Sequence, residues 1–460
     1  MKEETPMKTN CTAKQLEFQG LCGKKIILSN DGDLTTTDGG LILIQLIEKQ
    51  FGIIRKLATC FHDLRRQRAI KHRLFDLLFQ RIAGIIQGYE DLNDHEDWRN
   101  DILLNTILGK NPGHCLAGKS TLNRLELGLE QDPEYGNRYN RITWDPERIE
   151  DLLIDLFVEH FKDEPKQIIL DFDATDIPIH GDQEARFFNG YYDNYCYLPL
   201  YCFSGSWPLI AKLRPSNIDP SLGTIEALEK IVVQIRKRFP DVQILLRADS
   251  GFMRDKILTW CEENGVKYVI GMARNNRLVG AIGKELYQAR QEYERTGAKA
   301  RVFTDITYIT RSSWSHARRV IAKAEHLSRG SNPRFVVTNM KAGDPREIYE
   351  KTYCGRGDME NRIKEQQLFV FADRTSSTWM QANQLRLYFS TFAYIFFVLI
   401  REQGLSDTEQ SGFQAGTIRL KILKVSAWVQ KTSRAIRIRF PASFPYWDLW
   451  EQIAASELAA

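Results

Sequence analysis

Three acidic residues stand where metal-assisted chemistry would place them. Asp173 lies in the strand-like run KQIILDFDATDIPI and Asp249 ends a second such run, QILLRADSGF. Glu360 sits in TYCGRGDMENRIKEQQ, which reads as the opening of a helix. Most of the 59 Asp and Glu are ordinary surface charge, but Asp173 follows Ile168-Ile169-Leu170 and Asp249 follows Ile244-Leu245-Leu246. A carboxylate in or beside a core strand is costly unless paired or bound to a cation. Two Asp from adjacent strands, with a helix carrying one Glu across them, would supply the hard oxygen ligands that Mg²⁺ requires. Two such ions ~3.5–4 Å apart bracket the attacking and leaving oxygens of phosphoryl transfer.

The helix carrying Glu360 has an unusual face. At ~100° per residue, Tyr353, Arg356, Glu360, Lys364 and Gln367 fall on one narrow stripe. A core helix would put Leu or Val there, so the stripe reads as aimed at a charged ligand; the bland alternative is an exposed amphipathic face. Arg356 offers a planar fork for phosphate and Lys364 a point charge. Tyr353 can hydrogen-bond or stack. Gly355 and Gly357 are poor helix formers, which favours a loop for Tyr353 and Arg356.

The elements that must position these residues follow from periodicity. Residues 1–34 read as a polar lead. A helical, DNA-binding domain is expected over 35–150, from LILIQLIEKQFGIIRKLA, from RLFDLLFQRIAGIIQGYEDLND and from a helix near Leu122 capped by Ser120 or Thr121. From 165 the period becomes strand-like: IILDFDATDI, YCYLPLYCFSG and PLIAKLRPS come consecutively. The helix TIEALEKIVVQIRKRF, the strand QILLRADSG, the helix DKILTWCEENG and the strand KYVIGMA follow. That order is the one found in the α/β ribonuclease H-like mixed sheet, in which the first and fourth strands are neighbours and would bring Asp173 beside Asp249. The core is expected over 165–275 and again over 346–400. Between them, 276–345 reads as a separate β-rich insertion containing VFTDITYIT, RRVIAKAEH and RFVVTNM.

The net charge of +4 is mildly basic, and its distribution says more than its size. Thr417 to Phe440 holds seven Lys or Arg and no acid, and Arg55 to Arg73 holds seven against Asp63 alone. Two such stretches flanking a carboxylate core favour contact with DNA over a solvated face. The region 401–460 is therefore expected to touch DNA, with Arg434 and Arg437 as phosphate contacts. The eight cysteines form no CxxC pair and the eight histidines lack zinc-ligand spacing. Scattered single cysteines and a polar start, MKEETPMKTN, favour the reducing cytoplasm. LYFSTFAYIFFVLI is shorter than the ~20 residues of a membrane span and reads as a buried core helix, so no membrane role is expected.

TYCGRGDMEN resembles the Tyr–Arg–Glu–Lys signature of bacterial DDE transposases of the insertion sequence four superfamily. Tyr353, Arg356 and Glu360 match it, while Gln367 stands where the Lys belongs and Lys364, one turn earlier, is its candidate substitute. LDFDATD, NGYYDNYCYLPL, RADSGF, ADRTSS and GYEDLNDH also resemble the insertion sequence thirteen-eighty branch, so the likeness covers roughly 35–445. It implies a Mg²⁺-dependent endonuclease and strand transferase, with Mn²⁺ as a substitute. Such an enzyme acts on double-stranded DNA, cutting at terminal inverted repeats and joining the ends to target DNA, as a homodimer in the synaptic complex. It implies Asp173, Asp249 and Glu360 as catalytic metal ligands, with Asp171 the competitor for the first position. It implies a bacterial, nucleoid-associated protein. Relatives with a β insertion cut through a DNA hairpin held by a Trp, for which Trp314 is the candidate. A nuclease without strand transfer and a non-catalytic DNA-binding descendant are the rival readings.

Overall fold

The computed structural model describes residues 15–21, 24–29, 34–111, 114–128, 141–456 and 458. Part of the expected polar lead is a two-stranded hairpin, Gln15–Leu21 with Lys24–Ser29; the rest of it lies outside the described residues, Leu34 apart. Short helices follow, including Leu41–Phe51, Ile102–Ile107 and Lys119–Glu126, around α1 (Leu74–Gln87). Neither Ser120 nor Thr121 caps the last of the short helices. Gly118 holds that position and the Glu96 carboxylate accepts the Lys119 N–H at 2.7 Å. A Cβ at 118 would meet the tips of the Glu96 and Arg99 side chains, which would have to move aside. The helix α2 (Pro146–Glu159) starts on Asp145, whose carboxylate accepts two backbone N–H groups, with Pro146 in the first turn.

The sheet then begins. In β1 (Gln167–Ala174) successive side chains alternate, so Ile168, Leu170 and Phe172 share one face and Ile169, Asp171 and Asp173 the other. The second expected strand is broken near Pro199. Its first part, Asn194–Tyr197, joins a small outer sheet with Ile177–Pro178 and Phe187–Asn189. Its second part is β2 (Leu200–Ser204), antiparallel to β1 and followed by β3 (Trp207–Lys212). The helix α3 (Thr224–Arg238) returns the chain to β4 (Gln243–Ala248), which lies parallel beside β1. The helix α4 (Asp255–Glu263) leads to β5 (Lys267–Met272), parallel to β4. First and fourth strands are thus neighbours, as the element order predicts.

The segment expected to form a separate insertion does not build a sheet of its own. After α5 (Gly283–Thr296), β6 (Ala300–Tyr308), β7 (Arg318–Leu327) and β8 (Arg334–Thr338) extend the main sheet, since β8 pairs antiparallel with β5. The order is β3-β2-β1-β4-β5-β8-β7-β6, giving a mixed α/β protein with one large mixed sheet. The open edge of β5 leaves backbone N–H and C=O groups unpaired, and β8 satisfies them. The final helices are α6 (Gly357–Val370) and α7 (Met380–Leu399). Among the described residues, Met380–Gly404 is the one helix long and apolar enough to cross a membrane, and 89% of its most apolar stretch is buried inside the protein. It packs against α1, joining the N-terminal helices to the hydrophobic core of the sheet.

Candidate active site

The expected catalytic residues gather on one face of the sheet. Ile169, Leu245 and Val269 sit under Ile348, Tyr349 and Tyr353, a turn that runs into α6. The residues expected in a loop before the helix are therefore helical: Tyr353 ends a π turn, and Arg356 ends a tight turn continuous with α6. Tyr353 leaves the expected stripe and folds down on β5. A Cβ at Gly271 would stand 2.5 Å from the Tyr353 hydroxyl and 3.0 Å from the Ser250 nitrogen, so only glycine permits this approach.

Asp171 and Asp173 share this face but not their surroundings. Asp171 is buried and takes two bonds of 2.6 Å from Arg247, directly across on β4. Arg247 also donates to the Thr352 carbonyl at 2.9 Å, which ties the sheet to the turn above it. Both Asp171 oxygens are thus committed to the fold. Asp173, nearer the strand end, opens instead into a cavity of about 660 Å³. Asp249 lines the same cavity from the end of β4, with one oxygen accepting the Gly251 N–H at 2.8 Å. Glu360, Lys364 and Gln367 line it from α6, and Arg356 from the turn just before that helix. Four of the five stripe residues therefore face one space, as a ligand-directed face requires.

Arg356 bridges the carboxylates. Its Nη2 donates to Glu360 at 2.8 Å and its Nη1 stands 3.5 Å from Asp173. Nη1 is buried and makes no hydrogen bond. Burial pushes the Asp173 carboxyl up to about 6; Arg356 opposes that rise, and Asp249 and Glu360 add to it. Among the described residues no three His, Cys, Asp or Glu form a ready-made metal cluster, and a guanidinium stands between two of the three carboxylates. The donor set is nonetheless all carboxylate oxygen, the kind Mg²⁺ and Mn²⁺ take. The raised Asp173 pKa comes first from burial, so its charged form lacks solvation that a bound cation would supply.

Other expected residues lie elsewhere. Trp314 is 6% exposed, packs edge-on against Tyr308 at 5.9 Å and carries Arg318 over its ring at 5.4 Å. It does not line the cavity, and a ring so enclosed offers no face to a base. The C-terminal basic run divides in two. Arg419 bonds the Ile86 and Ile85 carbonyls, and Lys424 pairs with Asp38 at 2.7 Å, so both hold the fold. Arg434 and Arg437 are exposed on the hairpin Ala427–Lys431 and Ile436–Arg439. The N-terminal basic stretch contributes to a second cleft of about 840 Å³, which Arg66, Lys71, Arg124 and Arg141 line. Sequence reasoning gave no role to Tyr191 and Tyr192, which line the same cavity from the turn beside the outer sheet. The signals for them were the aromatic density of NGYYDNYCY and its place in one of the motifs that carry the family resemblance.

Among solved structures, piggyBac transposase in a synaptic complex with hairpin DNA aligns with 84% of this chain and 79% of its own, at a TM-score of 0.42 and 11% identity. No curated protein matches by sequence. The family model described as Transposase DDE domain group 1 matches residues 18–459, which takes in all three cavity carboxylates and nearly every element above; the chain belongs to that family, the DDE transposases of DNA transposition.

Proposed function

We propose that this chain cuts DNA at the terminal inverted repeats of a bacterial insertion sequence and joins the freed ends to target DNA. The observation that carries this reading is the meeting of Asp173, Asp249 and Glu360 with Arg356 and Lys364 on one cavity, from three segments far apart in the chain. The core is read as ribonuclease H-like, from its strand order. Asp173, Asp249 and Glu360 are the residues that would hold two Mg²⁺ or Mn²⁺ ions. Bound there, those ions would activate the attacking water and stabilise the leaving 3′ oxygen. Arg356 clamps the scissile phosphate, exchanging its bond to Glu360 for bonds to phosphate oxygens. Lys364 adds positive charge beside it, in place of the Lys that the motif puts at Gln367. Asp171 stays with Arg247 and takes no part in the chemistry.

Double-stranded DNA would run from this cavity over the Arg434–Arg437 hairpin and the basic cleft near Arg66. Two copies of the chain would bring the two ends together, in the bacterial cytoplasm at the nucleoid. Placement in the insertion sequence four superfamily, its thirteen-eighty branch and the hairpin route rest on the motif resemblance. The buried Trp314 lends that route no support.

The decisive measurement is cleavage and joining of oligonucleotides that carry the repeats bordering the gene. Asp173→Ala, Asp249→Ala and Glu360→Ala should each abolish Mg²⁺-dependent cleavage and retain DNA binding. Arg356→Lys keeps charge but loses the bidentate fork, so cleavage should fall further than affinity. Pre-cut ends with a free 3′-OH should give joined product. Cleavage without joining would leave a nuclease, and tight binding without cleavage a DNA-binding protein.

A further inference from the structure

The turn Gly190–Asp193 presents aromatic surface of a kind that folding does not use. Tyr191 is 89% exposed, the most open of the large hydrophobic side chains among the described residues. It is nevertheless held in place. The Asn189 side chain accepts the Tyr191 and Tyr192 N–H groups at 3.0 and 3.4 Å and donates to the Ser216 carbonyl at 3.0 Å. Asp193 closes the turn with φ +56°, a left-handed conformation that Asp tolerates better than most residues. Tyr192 packs edge-on against Tyr191 at 4.9 Å, and its hydroxyl donates to the Ala174 carbonyl at 3.2 Å. Ala174 directly follows Asp173, so the turn is tied to the catalytic strand itself.

Both tyrosines line the cavity that holds Asp173, Asp249, Glu360 and Arg356. The adjoining strands continue the aromatic surface. Phe188 and Tyr195, opposite each other in register, are 53% and 46% exposed with centroids 5.5 Å apart, and Arg186 lies over Tyr195 at 4.4 Å. Exposed rings beside phosphate-binding charge are what single-stranded nucleic acid recognition uses, because every base offers a flat face to stack. A preset turn lowers the entropy lost on binding.

We infer that Tyr191 stacks an unpaired nucleobase next to the phosphate held by Arg356, with the Phe188–Tyr195 pair receiving the strand beyond it; this rests on the catalytic cavity assigned above. Tyr192 sets the distance between that base and Asp173 through its bond to Ala174. The ring that grips a distorted DNA end is therefore on this turn and not at Trp314.

The probe is a duplex oligonucleotide with a single-stranded 3′ tail carrying 2-aminopurine, mixed with the full chain in EDTA. Stacking quenches 2-aminopurine fluorescence. The parent protein should quench the tail and prefer tailed to blunt duplex by about tenfold, within the range that stacking one base supplies. Tyr191→Ala should lose both the quench and the preference, and Tyr191→Trp should keep them. Tyr287→Ala, an exposed tyrosine on α5 that does not line the cavity, should behave as the parent. Quenching by Tyr191→Ala equal to the parent, or no quenching by the parent, overturns the inference. So does a loss that Trp fails to restore, which would mark a structural tyrosine. A change confined to self-association on sedimentation would assign the surface to a second copy of the chain and also overturn it. If Mg²⁺ supports no cleavage while quenching and its rescue by Trp persist, the catalytic assignment fails and the stacking site stands.

Discussion

Asp171 and Asp173 lie two positions apart on one strand face and meet opposite fates. A buried ion pair contributes little net stability when intact, yet breaking it leaves an uncompensated charge, a loss of about 3–5 kcal/mol. Asp171→Ala strands Arg247, so urea unfolding should show a loss of that order. Asp173→Ala should show none, because at neutral pH its desolvated charge is a burden on the fold. The burden has a pH signature. Asp173 binds its proton more tightly in the folded protein, at about 6 against an ordinary 3.8, so its contribution to stability is complete below pH 4 and disappears as pH rises through 6. Metal-free protein should therefore gain stability on acidification from pH 7 to pH 5 where this group dominates. Asp173→Asn should exceed the parent above pH 6, by about 3 kcal/mol at most, and match it near pH 4. Denaturant titrations in EDTA across that window measure it; a constant difference between the two proteins would mean that Asp173 does not titrate there.

At the scale of elements, the contact between β5 and the turn before α6 sets where Arg356 and Glu360 stand. Gly271→Ala would push a methyl into the Tyr353 hydroxyl. Overpacking of this kind costs about 1–3 kcal/mol, and here it would also lift the segment that carries Arg356. Cleavage should fall with stability, and adding Tyr353→Phe should recover part of both. Full recovery is not expected, since the Ser250 nitrogen still stands 3.0 Å from the new methyl. A double mutant no better than Gly271→Ala would show that the hydroxyl is not the obstacle. Many of the core strands and helices were legible in the sequence, because buried runs such as IILDF and ILLRA declare their period locally. So was the Arg356–Gln367 face, for the same reason. By contrast α5, with few buried side chains, was missed inside the stretch read as β-rich. What a strand pairs with is not a local property. Nothing in RFVVT says that it closes the edge of β5 rather than starting a sheet of its own. The candidacy of Trp314 rested on the family resemblance alone, and its enclosure by Tyr308 and Arg318 is likewise not a local property of the sequence. The break that frees Asn194–Tyr197 for the outer sheet was not foreseen, although it falls at Pro199, which lacks the N–H that a continuous ladder needs.

Across the whole molecule, charge that looks uniform in sequence serves two purposes. Arg419 clasps the ends of α1 and α6 through their carbonyls, and Lys424 neutralises Asp38 while lying 4.1 Å from the Tyr89 ring centroid. These cations are consumed in joining the N-terminal helices to the sheet. Arg434 and Arg437 instead project from a hairpin whose other cations, Lys431 and Arg439, are also exposed. Arg439 does lie over the Trp428 ring at 4.6 Å, which helps to stiffen the hairpin. Neutralising a phosphate releases condensed counterions, so each contact steepens log K against log salt by about 0.9 on duplex DNA. Reversing Arg434 and Arg437 to Glu should weaken binding at low salt and flatten that slope by about 2. Lys424→Gln should lower the unfolding midpoint and leave the slope alone. Filter-binding or anisotropy titrations over a salt series, beside thermal melts of the same proteins, would separate the two classes. A slope unmoved by Arg434→Glu and Arg437→Glu would make the hairpin a solvated surface, and would shift the duplex path toward the basic cleft lined by Arg66 and Lys71.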